Sequence, residues 1–98
     1  MKREEVIAKL KQSEPTLRAF GVAALYLFGS HARGDARPDS DVDVFVDPAS
    51  DRKFGFLEFM DAYETIQGAL GQNVDYGTRT GLHRGLRPQI EQEAVRIF

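Results

Sequence analysis

Residues 41–47 read Asp-Val-Asp-Val-Phe-Val-Asp, a strict alternation of valine with acidic or aromatic side chains. A period of two is that of a β-strand, whose successive side chains point to opposite faces. Val42, Val44 and Val46 share one face, and Asp41, Asp43, Phe45 and Asp47 the other. Such a strand lays one face on a core and leaves the other partly open. Asp47-Pro48 ends it, because proline brings no N–H to a ladder.

The flanking segments supply a sheet for this strand. Ala23 to Phe28 is an apolar run too compact for a helix and bounded by Gly21 and Gly29, which predicts a buried strand. Before it, Val6, Ile7 and Leu10 fall on one helical face, in a helix expected to reach about Gln12. Pro15 interrupts that ladder, so a second helix or a kinked continuation runs from Pro15 to Phe20, with Gly21 as its stop. Leu57, Met60, Tyr63, Ile66 and Leu70 recur at helical spacing up to Gly71, and Val74 to Tyr76 makes a brief third strand. A last helix starts near Leu86, with Pro88 in its first turn and Ile90 and Ala94 within it; Val95 and Ile97 equally fit a short terminal strand. This order predicts an α/β (α+β) fold: a small mixed sheet with helices packed mainly on one face. The middle helix is long enough to be a crossover, which sets the third strand parallel to the second through a right-handed connection.

Composition limits what such a sheet can serve. With 98 residues and no linker, repeat or low-complexity run, residues 1–98 are expected to form a single domain. A formal charge of −2 gives no global positive field, so direct nucleic-acid binding is not expected. Arg79, Arg84 and Arg87 read as a solvated surface. The absence of cysteine excludes disulfides, thiolate zinc sites and a cysteine nucleophile. Neither a signal-peptide core nor an apolar run of spanning length is present, so the expected location is cytoplasmic, with no membrane contact.

The chemistry lies in Gly29-Ser30-His31-Ala32-Arg33-Gly34 and Ser40-Asp41-Val42-Asp43. Residues two apart on a strand point the same way, roughly 6.5–7 Å apart along the chain. Asp41 and Asp43 can therefore reach one pair of cations, and Mg²⁺ takes such hard oxygen ligands. Alone, the pair reads more simply as two solvated acids near a turn. Gly29-Ser30 follows a buried strand and opens a helical turn, where Ser30 can cap and free N–H groups face an anion. Alone, that too is an ordinary strand-to-helix turn. On successive, paired strands the two meet at one end of the sheet and make a site for a metal-bound nucleoside triphosphate.

Gly29-Ser30-x-x-Arg33-Gly34 followed by Ser40-Asp41-x-Asp43 resembles the signature of the DNA polymerase β-like nucleotidyltransferase superfamily. Leu27-Phe28 and Ala32 beside it look most like the minimal, MNT-type members. The resemblance implies that Gly29 and Ser30 hold the triphosphate and that Asp41 and Asp43 bind two Mg²⁺ ions. It also implies a third carboxylate on a later strand, which Asp75 matches as metal ligand and proton acceptor. Arg33 suits a phosphate or an aspartate equally. Gly34 serves the loop backbone, and Ser40 caps or supports the aspartates. His31 and His83 read as exposed polar residues, and Asp47 as a strand terminator rather than a fourth ligand.

The implied reaction is attack of an acceptor hydroxyl on the α-phosphorus of ATP. A chain this short is expected to leave the catalytic face open, which fits a protein acceptor that supplies the other wall. Minimal members resemble the antitoxin halves of toxin–antitoxin pairs whose toxins are HEPN-domain ribonucleases. The resemblance thus implies AMP transfer to a toxin tyrosine. The rival reading is a non-catalytic antitoxin that neutralises its partner by binding alone; the intact motif argues against it.

Overall fold

The structure, a computed structural model, describes residues 1–98. Helices α1 (Arg3–Gln12) and α2 (Glu14–Ala19) meet at Ser13, whose N–H donates to the Leu10 carbonyl and whose carbonyl accepts from Leu17. Pro15 lies in the first turn of α2, where a missing N–H breaks no intrahelical bond. It therefore starts a new helix rather than kinking the old one. Strand β1 (Val22–Phe28) runs straight into the short helix α3 (Gly29–Arg33), and β2 (Val42–Pro48) follows. Then come α4 (Phe56–Leu70), β3 (Val74–Thr78), a 3-10 turn at Arg79–Gly81, α5 (Arg87–Glu93) and β4 (Val95–Arg96).

The four strands form one sheet in the order β3-β2-β1-β4. β1 is antiparallel to β2 and to β4, while β2 and β3 are parallel across α4, as the crossover predicts. Both readings of the C-terminus hold in succession: α5 stops at Glu93, and β4 pairs with Tyr26 and Leu27. The Ile97 N–H donates to the Leu25 carbonyl, and the Ile97 side chain is buried in the core.

Val42, Val44 and Val46 with Leu25 and Leu27 make the covered face of the sheet, under Val6, Leu10, Leu17, Ala62, Ile66 and Leu70 of the helices. Burial of each large aliphatic side chain contributes roughly 1.5–3 kcal/mol, so docking on the sheet, not helix propensity, holds helices this short. One residue leaves the expected stripe. Leu57 is 71% exposed, as is its neighbour Phe56 at 75%. Leu57 lies about two and a half turns before Ile66 at 3.6 residues per turn, hence on the opposite side of α4.

The other face is more covered than the alternation predicts. Phe45 is fully buried, stacked on Tyr26 at 4.8 Å between ring centroids, with Phe28 at 5.8 Å. Arg79 closes this layer and is not a solvated charge. Its guanidinium lies 4.8 Å from the Tyr26 centroid and 5.0 Å from that of Phe45. Nε and Nη2 each donate to Asp47 at 2.9 Å, and Nη1 donates to Glu91 at 2.6 Å. These acids hold its pKa above the ordinary arginine value. Asp47 is not the strand terminator expected, since β2 runs on through Pro48, paired with Val22; Asp47 is the bidentate partner of Arg79, while Arg84 stays exposed. Arg79→Ala should lower unfolding stability by about 1–2 kcal/mol, since it removes a forked ion pair and a cation–π contact together. Arg79→Lys, without the planar fork, should recover only part of that in urea denaturation.

Candidate active site

Phe28 pairs with Asp43 across β1 and β2, so the chain leaves β1 beside that carboxylate. Gly29 turns there with φ +74°, and a Cβ on it would lie 2.1 Å from Asp43 Oδ2. A left-handed backbone and a carboxylate against Cα both demand glycine at this position. The Asp43 carboxylate thus requires glycine here independently of any anion at the turn.

Asp43 stands in register with Asp75 across the parallel pair β2 and β3, about 4.8 Å apart as neighbouring strands are. Asp41 lies one residue ahead of β2, exposed, rather than inside the strand as the alternation implies. The three acids nonetheless act on one another. Burial, then the charges of Asp75 and Asp41 and a hydrogen bond with Asp75, raise the Asp43 pKa to about 6; the nearby His31 opposes this slightly. No three His, Cys, Asp or Glu side chains are placed to hold a metal ion by themselves, as a preformed cage would. Mg²⁺ does not require one, because one or two carboxylates with waters and substrate phosphates usually complete its shell. A hard-oxygen pair that repels itself, with a third acid nearby, fits that ion.

The turn differs from expectation in its details. α3 starts at Gly29 with Phe28 as N-cap, so Ser30 sits inside the first turn and does not cap it. The Gly29 N–H donates to Glu93 Oε1 at 3.2 Å. Arg33 Nη1 donates to both Glu93 oxygens at 3.3 and 3.4 Å, and its Nε to Asp35 at 3.3 Å. Of the two partners open to Arg33, it takes carboxylates here. Glu93 was not foreseen, since 60 residues separate it from Arg33 and no local pattern marks it.

His31 also departs from expectation. It is 2% exposed, because α3 turns its His31–Ala32 side inward. Its Nε2 lies 3.3 Å from the Ser40 carbonyl oxygen. Ser40 does support the loop, its hydroxyl accepting the Arg37 N–H at 2.9 Å. His83 is exposed as predicted and accepts the Gly85 N–H.

Comparison with known proteins decides the family. The model of the nucleotidyltransferase domain matches residues 4–97.

The chain belongs to the nucleotidyltransferase domain family.

A protein adenylyltransferase, MntA, of Thermococcus cleftensis is 34% identical to this nucleotidyltransferase over 95 residues, spanning 96% of this chain and 94% of that one. A solved structure assigned as a minimal nucleotidyltransferase superposes with a TM-score of 0.80 at 33% identity, over 97% of this chain and 95% of that one. A toxin–antitoxin structure with AMP-PNP superposes with a TM-score of 0.65 at 20% identity, over all of this chain and 73% of that one, and shares the fold.

The geometry makes two predictions. Between its ordinary 3.8 and about 6, Asp43 holds a proton in the folded chain that the unfolded chain has released. Stability therefore falls as the pH rises through that window. Asp43→Asn should abolish this slope in denaturant midpoints taken on either side of the window, and Mg²⁺ should flatten it only in the parent chain. Gly29→Ala should cost at least about 1–2 kcal/mol from the left-handed backbone alone. The displaced Asp43 should also remove stabilisation by Mg²⁺ in thermal melts.

Proposed function

We propose that this nucleotidyltransferase transfers AMP from ATP to a hydroxyl of a partner protein, a tyrosine of a HEPN-domain toxin, and thereby acts as its antitoxin. The observation that carries the reading is the register of Asp43 with Asp75 beside the Gly29 turn. It sets an acidic pair next to donors of the kind that hold phosphate oxygens. Similarity to a protein adenylyltransferase over nearly the whole chain supports a protein acceptor. The likeness to a toxin–antitoxin structure with AMP-PNP agrees with an adenine nucleotide and a toxin. The HEPN class and the tyrosine rest on the signature resemblance. Residues 1–98 would act as one domain in the cytoplasm; no helix is long and apolar enough to cross a membrane.

In this reading Asp41, Asp43 and Asp75 hold two Mg²⁺ ions, which when bound neutralise charge on the attacking and leaving oxygens. Gly29, Ser30 and Arg33 hold the triphosphate, for which Glu93 must release the Gly29 N–H and Arg33. The acceptor oxygen bonds to the α-phosphorus as the bond to the β-phosphate oxygen breaks and pyrophosphate leaves. Asp75, exposed on the edge strand β3, takes the hydroxyl proton.

Incubation with Mg²⁺, ATP and the cognate toxin should add whole AMP units to the toxin's intact mass. The Asp41→Asn/Asp43→Asn form should add none. A stable complex with no mass gain from any of the four nucleoside triphosphates would replace this reading with neutralisation by contact alone.

A further inference from the structure

Two side-chain donors converge on one backbone oxygen beside the carboxylates. The Ser40 carbonyl lies 3.3 Å from His31 Nε2 and accepts from Gln72 Nε2 at 3.2 Å. A carbonyl only accepts, so the hydrogen of this contact is on His31 Nε2, and the other ring nitrogen is Nδ1. That buried Nδ1 has no partner. An unsatisfied buried polar atom destabilises a fold, so packing alone does not explain a histidine at a site where an apolar side chain would carry no such penalty.

What this carbonyl joins explains it better. Its peptide plane ends at the Cα of Asp41, so fixing the oxygen fixes the frame from which that carboxylate projects. His31 comes from α3, two residues after Gly29. Gln72 comes from the turn that leads into β3, three residues before Asp75. Next to them the Val42 N–H donates to the Asn73 carbonyl at 3.2 Å, which draws the start of β2 to the same turn. One oxygen thus ties the phosphate turn, the approach to Asp41 and the approach to Asp75. Asp41 needs such a tie, since it precedes the ladder that holds Asp43.

We propose that His31 and Gln72 are positioning residues, which clamp the Ser40 carbonyl and so aim Asp41 at the cation shared with Asp43 and Asp75. The proposal rests on the metal-site reading above, but not on the identity of the acceptor. Groups that orient metal ligands typically account for 10–100-fold in metal affinity.

The test is a Mn²⁺ titration of the purified chain, free ion read by electron paramagnetic resonance, without nucleotide or toxin. Gln72→Met removes the donor but keeps the length of the side chain, and should weaken Mn²⁺ binding roughly 10-fold. His31→Met should do the same, and His31→Gln, which returns a donor at that reach, should restore most of the loss. Should His31→Met fail to fold by circular dichroism, the half-exposed Gln72 decides the matter alone. A folded Gln72→Met chain with the parent Mn²⁺ curve would overturn the proposal. So would equal weakening by His31→Met and His31→Gln, which would mark a packing role. A parent chain that binds no Mn²⁺ would remove the metal site and the proposal together. Weakened Mn²⁺ binding in Gln72→Met, in a parent chain that transfers no AMP, would leave the clamp standing and sink only the proposed reaction.

Discussion

The register of β1 against β2 is the constraint on which the rest of the structure depends. Leu25 opposite Val46 and Leu27 opposite Val44 build the covered face, while Tyr26 opposite Phe45 and Phe28 opposite Asp43 build the other. Because the side-chain period is two, a slip of one residue would send the valines to the open face and Asp43 into the core. The two exchanges together cost an amount comparable to the whole marginal stability of a domain this size. The same register sets Gly29 against the Asp43 carboxylate, so the force that fills the core also builds the turn of the site.

The site face is secured from a distance. Arg79 lies on the Tyr26–Phe45 stack and binds Asp47 on β2 and Glu91 on α5. Two turns of α5 then carry Glu91 and Glu93, the first to Arg79 and the second to Arg33 and the Gly29 N–H. A short helix with no buried residue is thus held by its charges rather than by a core. It has little else to hold it, and it abuts the Gly29 turn.

What was legible in the sequence is what depends on local period and turn chemistry. The alternation at 41–47, the run before Gly29 and the spacing of Ile66 and Leu70 gave the strands, the crossover and the parallel pair. The motif spacing marked Asp41, Asp43 and Gly29 because those residues are near one another in the chain. Asp75 needed the family resemblance, since nothing local distinguishes it. The misses are long-range. Glu93 with Arg33, Arg79 with Asp47, and Gln72 with Ser40 are pairings across 32 to 60 residues, which no short window contains. His31 was misread for the same reason: five residues of helix have too little period to show which side turns inward. Leu57 failed otherwise, as a chain of three- and four-residue steps drifts around the helix over two turns and more.

The pattern of pairing among the acids separates those that hold the fold from those that do not. Asp47 and Glu91 have Arg79, and Glu93 and Asp35 have Arg33. Asp41, Asp43 and Asp75 have no arginine or lysine within ion-pair distance, although arginines reach the acids on either side of them. Stability alone would favour a basic partner for Asp43 or an amide in its place, since its burial beside two like charges raises its pKa. Asp43, partly buried beside two like charges and without a basic partner, accepts a local cost that the fold does not require. Such a cost is characteristic of functional sites, where local stability is given up for chemistry.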